Sequence, residues 1–363
     1  HLILIFSPVK NKMISIHELK IKYSHKIDSL DLDLLICRVI KKKREFILIH
    51  PDHIVNDKQQ TTINKMIARR LNNEPLAYIL GEKEFYGLEF KVNRHTLIPR
   101  PETELMVELA LKIIRTKEYA NNKATLAYVI QEVSISERAK RFHENTTIRD
   151  LKKENRSRIS DFSTAHTSQE KSTFWDDTAV IDVGTGSGNI IISILKNLSI
   201  DSKFKIQNSK FFAVDISKEA LRIAKKNAEN HYVHKKINFL HGNLLDPILK
   251  SKIINNKSSL LILANLPYLS KNIYDACTDN VKKYEPRSAL YSDNYGLAHY
   301  NQLLNHILEL KNNHSMLHIT CLMEISPEQK KLLLPLIGKK FSKAKIEFKK
   351  DLASKWRVCK IEI

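Results

Sequence analysis

The chain has 363 residues, with 60 Lys and Arg against 40 Asp and Glu and a formal net charge of +20. Hydrophobic residues make up 42% and charged residues 28%, a balance typical of folded globular proteins and not of disordered ones. No apolar run approaches the roughly 18–20 residues that span a bilayer, and the cysteines at 37, 277, 321 and 359 fit neither a zinc cluster nor a redox pair. We expect a cytoplasmic protein with reduced cysteines, no metal and no membrane contact.

The positive charge is spread along the chain. Residues 1–116 carry a net +6, residues 117–175 carry +3 and residues 176–363 carry +11. A basic protein can bind a polyanion such as RNA, but a lysine-rich solvated surface gives the same dispersed excess. Direct nucleic-acid binding is therefore not predicted, although the charge leaves it open.

The part of the chain before residue 81 has the apolar spacing of helices. We interpret residues 1–12 as a dispensable stretch upstream of Met13, and we expect helices from residue 15 to about residue 80, with Asn56 capping a later one. Two groups of apolar residues each share a helical face, namely Leu32, Leu35 and Val39, and Ile63, Met66, Ile67 and Leu71. Beyond Gly81, strands at 82–85 and 88–92 predict a hairpin that turns at Tyr86-Gly87.

From about residue 178 the pattern changes to alternating strands and helices, which predicts an α/β fold with a doubly wound, mainly parallel sheet. Strands are expected at 179–183, 211–215, 237–240, 260–264, 317–325, 344–349 and 356–362, and helices at 190–198, 217–228, 297–310 and 327–337. Residues 117–173 fit neither pattern. We interpret them as an inserted, poorly ordered surface segment, with a regulatory or RNA-binding arm as the alternative.

A glycine-rich turn follows the first of these strands, at Asp182-Val183-Gly184-Thr185-Gly186-Ser187-Gly188. Glycines allow a sharp turn and a close approach to a ligand at a helix N-terminus. Asn189 stands where a dinucleotide motif has its third glycine, and no Gly-Lys-Ser/Thr follows, which excludes a P-loop.

The turn resembles motif I of the S-adenosylmethionine-dependent methyltransferases. The resemblance implies that this cofactor is held by residues of the turn, and that Asp215 accepts hydrogen bonds from its ribose. The implied cofactor residues of the turn are Asp182, Gly184, Thr185, Gly186, Ser187 and Gly188.

A second motif, Asn265-Leu266-Pro267-Tyr268, ends a later strand at the edge of the sheet where ligands bind in such folds. It resembles the Asn-Pro-Pro-Tyr motif of methyltransferases that act on planar nitrogens. The Asn265 side-chain oxygen and the Leu266 carbonyl can each accept one N–H of such a nitrogen, and Tyr268 can stack on the planar group. The same four residues also occur in rRNA adenine dimethyltransferases, which makes adenine-N6 methylation of RNA or DNA an alternative.

Three further segments favour a protein substrate: 74–81 with 84–88, the Ile98-to-Glu104 run "IPRPETE", and 284–290 with 295–297. They resemble the protein-(glutamine-N5) methyltransferases that modify peptide chain release factors. The resemblance implies a class I methyltransferase domain with a seven-stranded sheet. It also implies that the substrate is a peptide chain release factor, methylated at the glutamine of its Gly-Gly-Gln motif. Arg100 is expected either to pair with Glu102 or Glu104 or to help bind the substrate.

The resemblance also sets the expected domain boundaries: a helical substrate-docking domain over 13–80, a hairpin linker over 81–95, and a methyltransferase domain over 96–363 that the insertion interrupts. Two positions depart from the family pattern. Leu266 replaces the first proline, and Asn243, before Leu244, replaces an aspartate near the adenine of the cofactor. Methylation of a ribosomal-protein glutamine, or a cofactor-binding protein that has lost activity, remain alternatives. We expect a monomer.

Overall fold

The computed structural model describes residues 13–121, 178–200, 210–251, 254 and 259–363. The interpretation of residues 1–12 and that of the insertion beyond residue 121 lie outside the described residues. In the described part of the chain, none of the helices combines the length and apolarity needed to span a bilayer.

The N-terminal part is a helical bundle, as the apolar spacing predicts. Asn56 caps α4 in a capping box with Gln59, which confirms the predicted N-cap. The apolar faces of these helices enclose one core that includes Leu32, Leu35, Ile63 and Ile67. The bundle consists of α1 (Ile16–Tyr23), α2 (Ser29–Ile40), α3 (Arg44–Ile49), α4 (Asp57–Leu71) and α5 (Leu76–Leu80), with the two-residue strands β1 (Ile14–Ser15) and β2 (Ile54–Val55) paired beside it.

The predicted hairpin forms from β3 (Glu82–Phe85) and β4 (Leu88–Lys91). Its two-residue turn has positive φ at Tyr86 (52°) and Gly87 (71°), the conformation that matches the twist of the flanking strands. The hairpin buries Phe85 and Phe90 against the following part of the chain, where they join a core with α6. It thereby connects the helical bundle with the sheet.

The rest of the chain forms the predicted α/β fold around a seven-stranded sheet of order β10-β11-β9-β8-β5-β6-β7. The five strands from β9 to β7 are parallel, and β11 runs antiparallel between β9 and β10. The strands are β5 (Thr178–Val183), β6 (Lys210–Asp215), β7 (Ile237–His241), β8 (Ser259–Ala264), β9 (His318–Glu324), β10 (Lys345–Lys350) and β11 (Trp356–Glu362).

Helices cover both faces of this sheet, so the central strands are mostly apolar on both faces. Residues 117–121, which the sequence pattern assigned to the insertion, form the last turn of α6, so the insertion begins later than predicted. The helices are α6 (Glu104–Asn121), α7 (Asn189–Ile200), α8 (Lys218–Asn230), α9 (Asp246–Leu249), α10 (Lys271–Asp275), α11 (Asp279–Tyr284), α12 (Asp293–Gly296), α13 (Ala298–Asn313) and α14 (Gln329–Lys340).

One buried side chain, Asn227 on α8, joins the hairpin to the glycine-rich turn. Its amide nitrogen donates to the carbonyls of Lys91 (3.0 Å) and Ser187 (2.8 Å), and its oxygen accepts the N–H of Lys91 (2.7 Å). Asn227 is fully buried, so its amide needs these backbone partners in place of water.

We predict that Asn227→Ala destabilises the protein by about 1–3 kcal/mol, because it leaves buried backbone groups without partners. Urea unfolding followed by circular dichroism measures the change. Asn230→Ala is the matched control, since Asn230 is exposed at the end of the same helix. Equal unfolding midpoints for the two variants would contradict this role of Asn227.

Candidate active site

The register of the parallel strands brings the predicted motifs to one edge of the sheet. Val183 at the end of β5 pairs with Val214 of β6 on one side and Ala264 of β8 on the other. Three loops therefore leave the sheet at the same level, beginning at Gly184, Ile216 and Asn265. The glycine-rich turn lies between the loop after Asp215 and the Asn-Leu-Pro-Tyr loop.

Backbone hydrogen bonds fix the glycine-rich turn to β6. The N–H groups of Gly184 and Thr185 donate to the Val214 carbonyl at 2.8 and 3.0 Å, and the Gly186 N–H donates to Asp215 Oδ2 at 2.8 Å. The turn has positive φ at Gly184 (71°), Gly186 (56°) and Gly188 (80°). Such values strain any side-chain-bearing residue, which explains the three glycines.

The side chains of the turn are directed into the protein. Thr185 Oγ1 donates to Asp182 Oδ2 at 2.7 Å, and Ser187 Oγ donates to Asn189 Oδ1 at 3.0 Å. Burial raises the pKa of Asp182 to about 7, although the Thr185 hydrogen bond opposes the shift. Asp182 Oδ1 is buried and has no hydrogen-bond partner among the described residues.

Asp215 ends β6 with both carboxylate oxygens directed at backbone donors. Oδ2 accepts the Gly186 N–H and Oδ1 accepts the Ser217 N–H, each at 2.8 Å. Burial raises the pKa of Asp215, and these two N–H groups oppose the shift. Because each carboxylate oxygen has two lone pairs, both can accept a further hydroxyl.

The loop after β7 is bonded to the backbone of Asp215, because the Gly242 N–H donates to the Asp215 main-chain carbonyl at 3.1 Å. Asn243 is half-buried here, and its carbonyl accepts the Asp246 N–H at 3.0 Å. Leu244 has a positive φ of 48°, and its side chain is buried in the main core. A role of Leu244 toward a ligand would therefore belong to its backbone.

The side chains of the first two residues of the Asn-Leu-Pro-Tyr loop, Asn265 and Leu266, both hold the loop in place. Asn265 Nδ2 donates to Thr103 Oγ1 at 3.2 Å, which ties the loop to the "IPRPETE" segment. The Leu266 side chain is buried against the glycine-rich turn, where a Cβ on Gly184 would lie 3.1 Å from Leu266 Cδ2. Among the described residues, no group donates a hydrogen bond to the Leu266 carbonyl.

Tyr268, the last residue of this motif, is anchored by a buried carboxylate. Its hydroxyl donates to Glu324 Oε1 at 3.2 Å, and burial raises the pKa of the Tyr268 hydroxyl. Burial also raises the pKa of Glu324, which the Thr103 hydroxyl and the nearby Arg357 guanidinium oppose. Tyr300, fully buried on α13, donates its hydroxyl to the Glu324 backbone carbonyl.

A second clamp holds the backbone of Tyr268. Gln329 Nε2 donates to the carbonyls of Tyr268 (3.1 Å) and Gly296 (3.0 Å). A Cβ on Gly296 would lie only 2.0 Å from the Tyr268 carbonyl oxygen, so glycine is required there by sterics as well as by its φ of 82°. The Tyr295-Gly296-Leu297 segment thus supports the loop that precedes it.

Arg100 forms an ion pair with Glu285, and the predicted pairing with Glu102 or Glu104 is wrong. Glu285 is buried and also accepts the Ile98 N–H at 3.2 Å, so one carboxylate holds two positions of the "IPRPETE" segment. Glu104 instead accepts the Tyr86 N–H of the hairpin at 2.9 Å. The pairing was missed because it joins residues 185 positions apart.

Sequence reasoning assigned no role to Thr103, Glu324, Gln329 or Tyr300, which support the acceptor loop. A signal for Glu324 was present, since an acidic residue closes an otherwise apolar predicted strand beside the strand that leads to Asn265. For Gln329, Tyr300 and Thr103, the contacts depend on tertiary packing that the sequence pattern does not encode.

We predict that replacing Asp182 with asparagine changes the pH dependence of stability. The folded chain binds the Asp182 proton more tightly than the unfolded chain does, because burial raises the pKa from 3.8 to about 7. Wild-type stability therefore loses up to about 4 kcal/mol between pH 4 and pH 7 through this group, with the loss complete above pH 7. Asp182→Asn lacks this loss.

Urea unfolding of both proteins at pH 5 and pH 8 tests this expectation. The stability of Asp182→Asn relative to wild type should rise from pH 5 to pH 8. Asp52→Asn, which removes an exposed carboxylate in the helical bundle, serves as the control. A pH-independent difference between Asp182→Asn and wild type would show that Asp182 does not bind a proton in this range.

Two family models match the chain. One, described as the PrmC N-terminal domain, matches residues 19–81, and another, described as a methyltransferase domain, matches residues 175–340. A solved ribosomal protein L11 methylase from Lactobacillus delbrueckii subsp. bulgaricus aligns with 50% of this chain and 68% of its own, at 19% identity and a TM-score of 0.30, which is too distant to bear on function.

Curated relatives cover much more of the chain. The release factor glutamine methyltransferase of Enterococcus faecalis is 29% identical over 86% of this chain and 84% of its own length, and that of Clostridium botulinum is 28% identical over 91% and 90%. A bifunctional methyltransferase of Rickettsia felis is 30% identical over 75% of this chain, which spans only 43% of that relative. The chain thus combines a PrmC N-terminal domain with a methyltransferase domain, and it is similar over most of its length to curated release factor glutamine methyltransferases.

Proposed function

We propose that the protein transfers a methyl group from S-adenosylmethionine to the side-chain amide nitrogen of the glutamine in the Gly-Gly-Gln motif of a peptide chain release factor. The observation that carries this proposal is the orientation of Asn265. Its amide NH₂ is taken up by Thr103, which leaves its oxygen as an acceptor beside the glycine-rich turn. The similarity to curated release factor glutamine methyltransferases supports the same reaction.

The residues of the glycine-rich turn fit the cofactor. Asp182 has an unpartnered buried oxygen, Asp215 has lone pairs for two ribose hydroxyls, and Gly184 and Gly186 let the backbone approach a ligand closely. We assign cofactor binding to these four positions together with Thr185, Ser187, Gly188, Asn243, Leu244 and Asn265. Bound there, S-adenosylmethionine would supply an electrophilic methyl group on a sulfonium.

The protein's own contribution is to hold a weak nucleophile. The lone pair of a glutamine amide nitrogen is delocalised into its carbonyl, so reaction needs the nitrogen held in line with the methyl group. Asn265 Oδ1 and the Leu266 carbonyl would each accept one N–H of that nitrogen. The two oxygens would also stabilise the positive charge that develops on the nitrogen when it accepts the methyl group, and the amide proton would then leave to water.

The remaining assigned residues shape the acceptor site. Pro267 restricts the loop backbone, and Tyr268, whose hydroxyl is fixed by Glu324, would pack its ring on the planar amide. Arg100 is half-exposed beside Glu285 and would contact the backbone of the substrate. Leu266 keeps the carbonyl that the family's proline provides.

We infer that the helical bundle docks the release factor. It packs on the catalytic part through Tyr78 and Ile98, and the Tyr284 hydroxyl donates to the Asn72 carbonyl at 2.8 Å across the junction. The bundle is thus held in a defined position beside the "IPRPETE" segment. A protein substrate larger than its reacting glutamine can use such a second surface.

The test is transfer of label from tritiated S-adenosylmethionine to purified release factor, to its Gly-Gly-Gln→Gly-Gly-Ala variant, to ribosomal proteins and to rRNA. We expect label only in the release factor with its glutamine. Label confined to rRNA would replace the proposal with adenine methylation, and label in a ribosomal protein would change the substrate. No label in any acceptor would indicate a cofactor-binding protein without transfer activity.

We predict that Asn265→Ala lowers kcat for the release factor about 10²- to 10³-fold, because it removes one of two oxygens that hold the reacting nitrogen. The Kd for S-adenosylmethionine, measured by calorimetry, should change little. Asn272→Ala, which truncates an exposed asparagine on α10, is the matched control and should keep wild-type turnover. Full turnover in Asn265→Ala would disprove the acceptor role of this side chain.

A further inference from the structure

We propose that His306 is a positioning residue that fixes the turn on which Asn243 is presented to the cofactor. The inference rests on the proposed function, because Asn243 and Leu244 are assigned there to S-adenosylmethionine. The turn spans residues 243–246, between β7 and α9, and is closed by the Asp246 N–H, which donates to the Asn243 carbonyl at 3.0 Å. His306 lies far away in the sequence, on α13, and contacts this turn only in the folded chain.

The 243–246 turn has a conformation that its own sequence does not favour. Leu244, its second residue, has a φ of 48°, a value that turns normally give to glycine, asparagine or aspartate. The preceding residue is also tightly packed, since a Cβ on Gly242 would lie 2.4 Å from Pro247 Cγ. Contacts from outside the turn are therefore needed to stabilise it.

The direction of the Asn243 side chain depends on this backbone. Asn243 is half-buried, and its side chain makes no hydrogen bond to another residue in the described part of the chain. On one side the turn is fixed by the Gly242 N–H, which is bonded to the main-chain carbonyl of Asp215. A contact on the other side, at Leu245 and Asp246, completes its attachment.

His306 supplies that contact. The Leu245 N–H donates to His306 Nδ1 at 3.3 Å. Leu245 is fully buried, and its N–H has no other acceptor among the described residues, so the imidazole keeps a buried donor from being unpaired. Because a main-chain N–H can only donate, Nδ1 must carry a lone pair, and the proton of the neutral ring is on Nε2.

The second ring nitrogen faces the same turn. Nε2 lies 3.5 Å from Asp246 Oδ1, on the side where its proton is expected, and the His306 side chain is only 13% exposed. The imidazole thus contacts two consecutive residues, Leu245 and Asp246, and the second of these holds the Asn243 carbonyl. His306 is therefore placed to set the turn and, through it, the position of Asn243.

Replacement of the imidazole should weaken cofactor binding and leave methyl transfer intact. In His306→Leu the Leu245 N–H loses its acceptor, and the turn can relax from the strained Leu244 conformation. We expect the Kd for S-adenosylmethionine, measured by calorimetry, to rise about 5- to 30-fold. Because the acceptor loop at Asn265 is untouched, kcat at saturating cofactor should stay within about twofold of wild type, while the KM for the cofactor rises.

Two amide variants separate hydrogen bonding from packing. In His306→Asn the side-chain oxygen can take the position of Nδ1, whereas in His306→Gln the amide group reaches the position of Nε2. His306→Asn should therefore keep the Kd within about threefold of wild type, and His306→Gln should resemble His306→Leu. Gln302→Leu is the matched control, since Gln302 is exposed one turn earlier on α13, and it should keep the wild-type Kd.

A second readout needs neither cofactor nor substrate. Amide hydrogen exchange of Leu245, followed by NMR of the full chain, should be slow in wild type and His306→Asn and faster in His306→Leu. A wild-type Kd in His306→Leu, or equal Kd values for His306→Asn and His306→Gln, would overturn the inference. If the wild-type chain binds no S-adenosylmethionine, the proposed function fails; exchange at Leu245 then decides alone, and equally slow exchange in His306→Leu would overturn the role of His306.

Discussion

The parallel pairing of β5 with β8 is the constraint on which the proposed site depends. It sets Val183 beside Ala264, so the glycine-rich turn and the Asn-Leu-Pro-Tyr loop leave the sheet at one level. The Leu266 side chain then packs directly on Gly184. A methyl donor and an acceptor that bind to these two loops would have their separation fixed by main-chain hydrogen bonds. A shift of one register position between the strands would separate them and reverse the side-chain faces.

Buried carboxylates hold the loops around this pair of strands through hydrogen bonds and an ion pair. Asp215 holds Gly186 and Ser217, Glu285 holds Arg100 and Ile98, and Glu324 holds Tyr268. Asp215 and Glu285 each bind two donors and Glu324 binds one, so each of these loops is tied to the folded chain. The carboxylates are costly to bury, and hydrogen bonds to backbone N–H and hydroxyl groups offset that cost.

The sequence predicted the features that repeat with the period of a strand or helix, and the turns that require glycine. The sheet strands, the Asn56 cap and the hairpin turn at Tyr86 depend on local pattern, and the structure confirms them. Partners distant in sequence were not predictable in this way. Arg100 pairs with Glu285, which is 185 positions away in the sequence. Local spacing pointed instead to the nearby Glu102 and Glu104, neither of which is its partner. Thr103 belonged to a motif whose resemblance was clear, but its contact with Asn265 exists only after folding.

Neighbouring groups also hold the leucine at position 266, where the motif that the loop resembles has proline. A proline restrains the loop by its ring, whereas here the restraint comes from neighbours. The Leu266 side chain is buried against the glycine-rich turn, and Gln329 holds the loop at the Tyr268 carbonyl. Packing around this leucine thus restrains the loop. Among the described residues, no group donates a hydrogen bond to the Leu266 carbonyl that we propose to hold the substrate nitrogen.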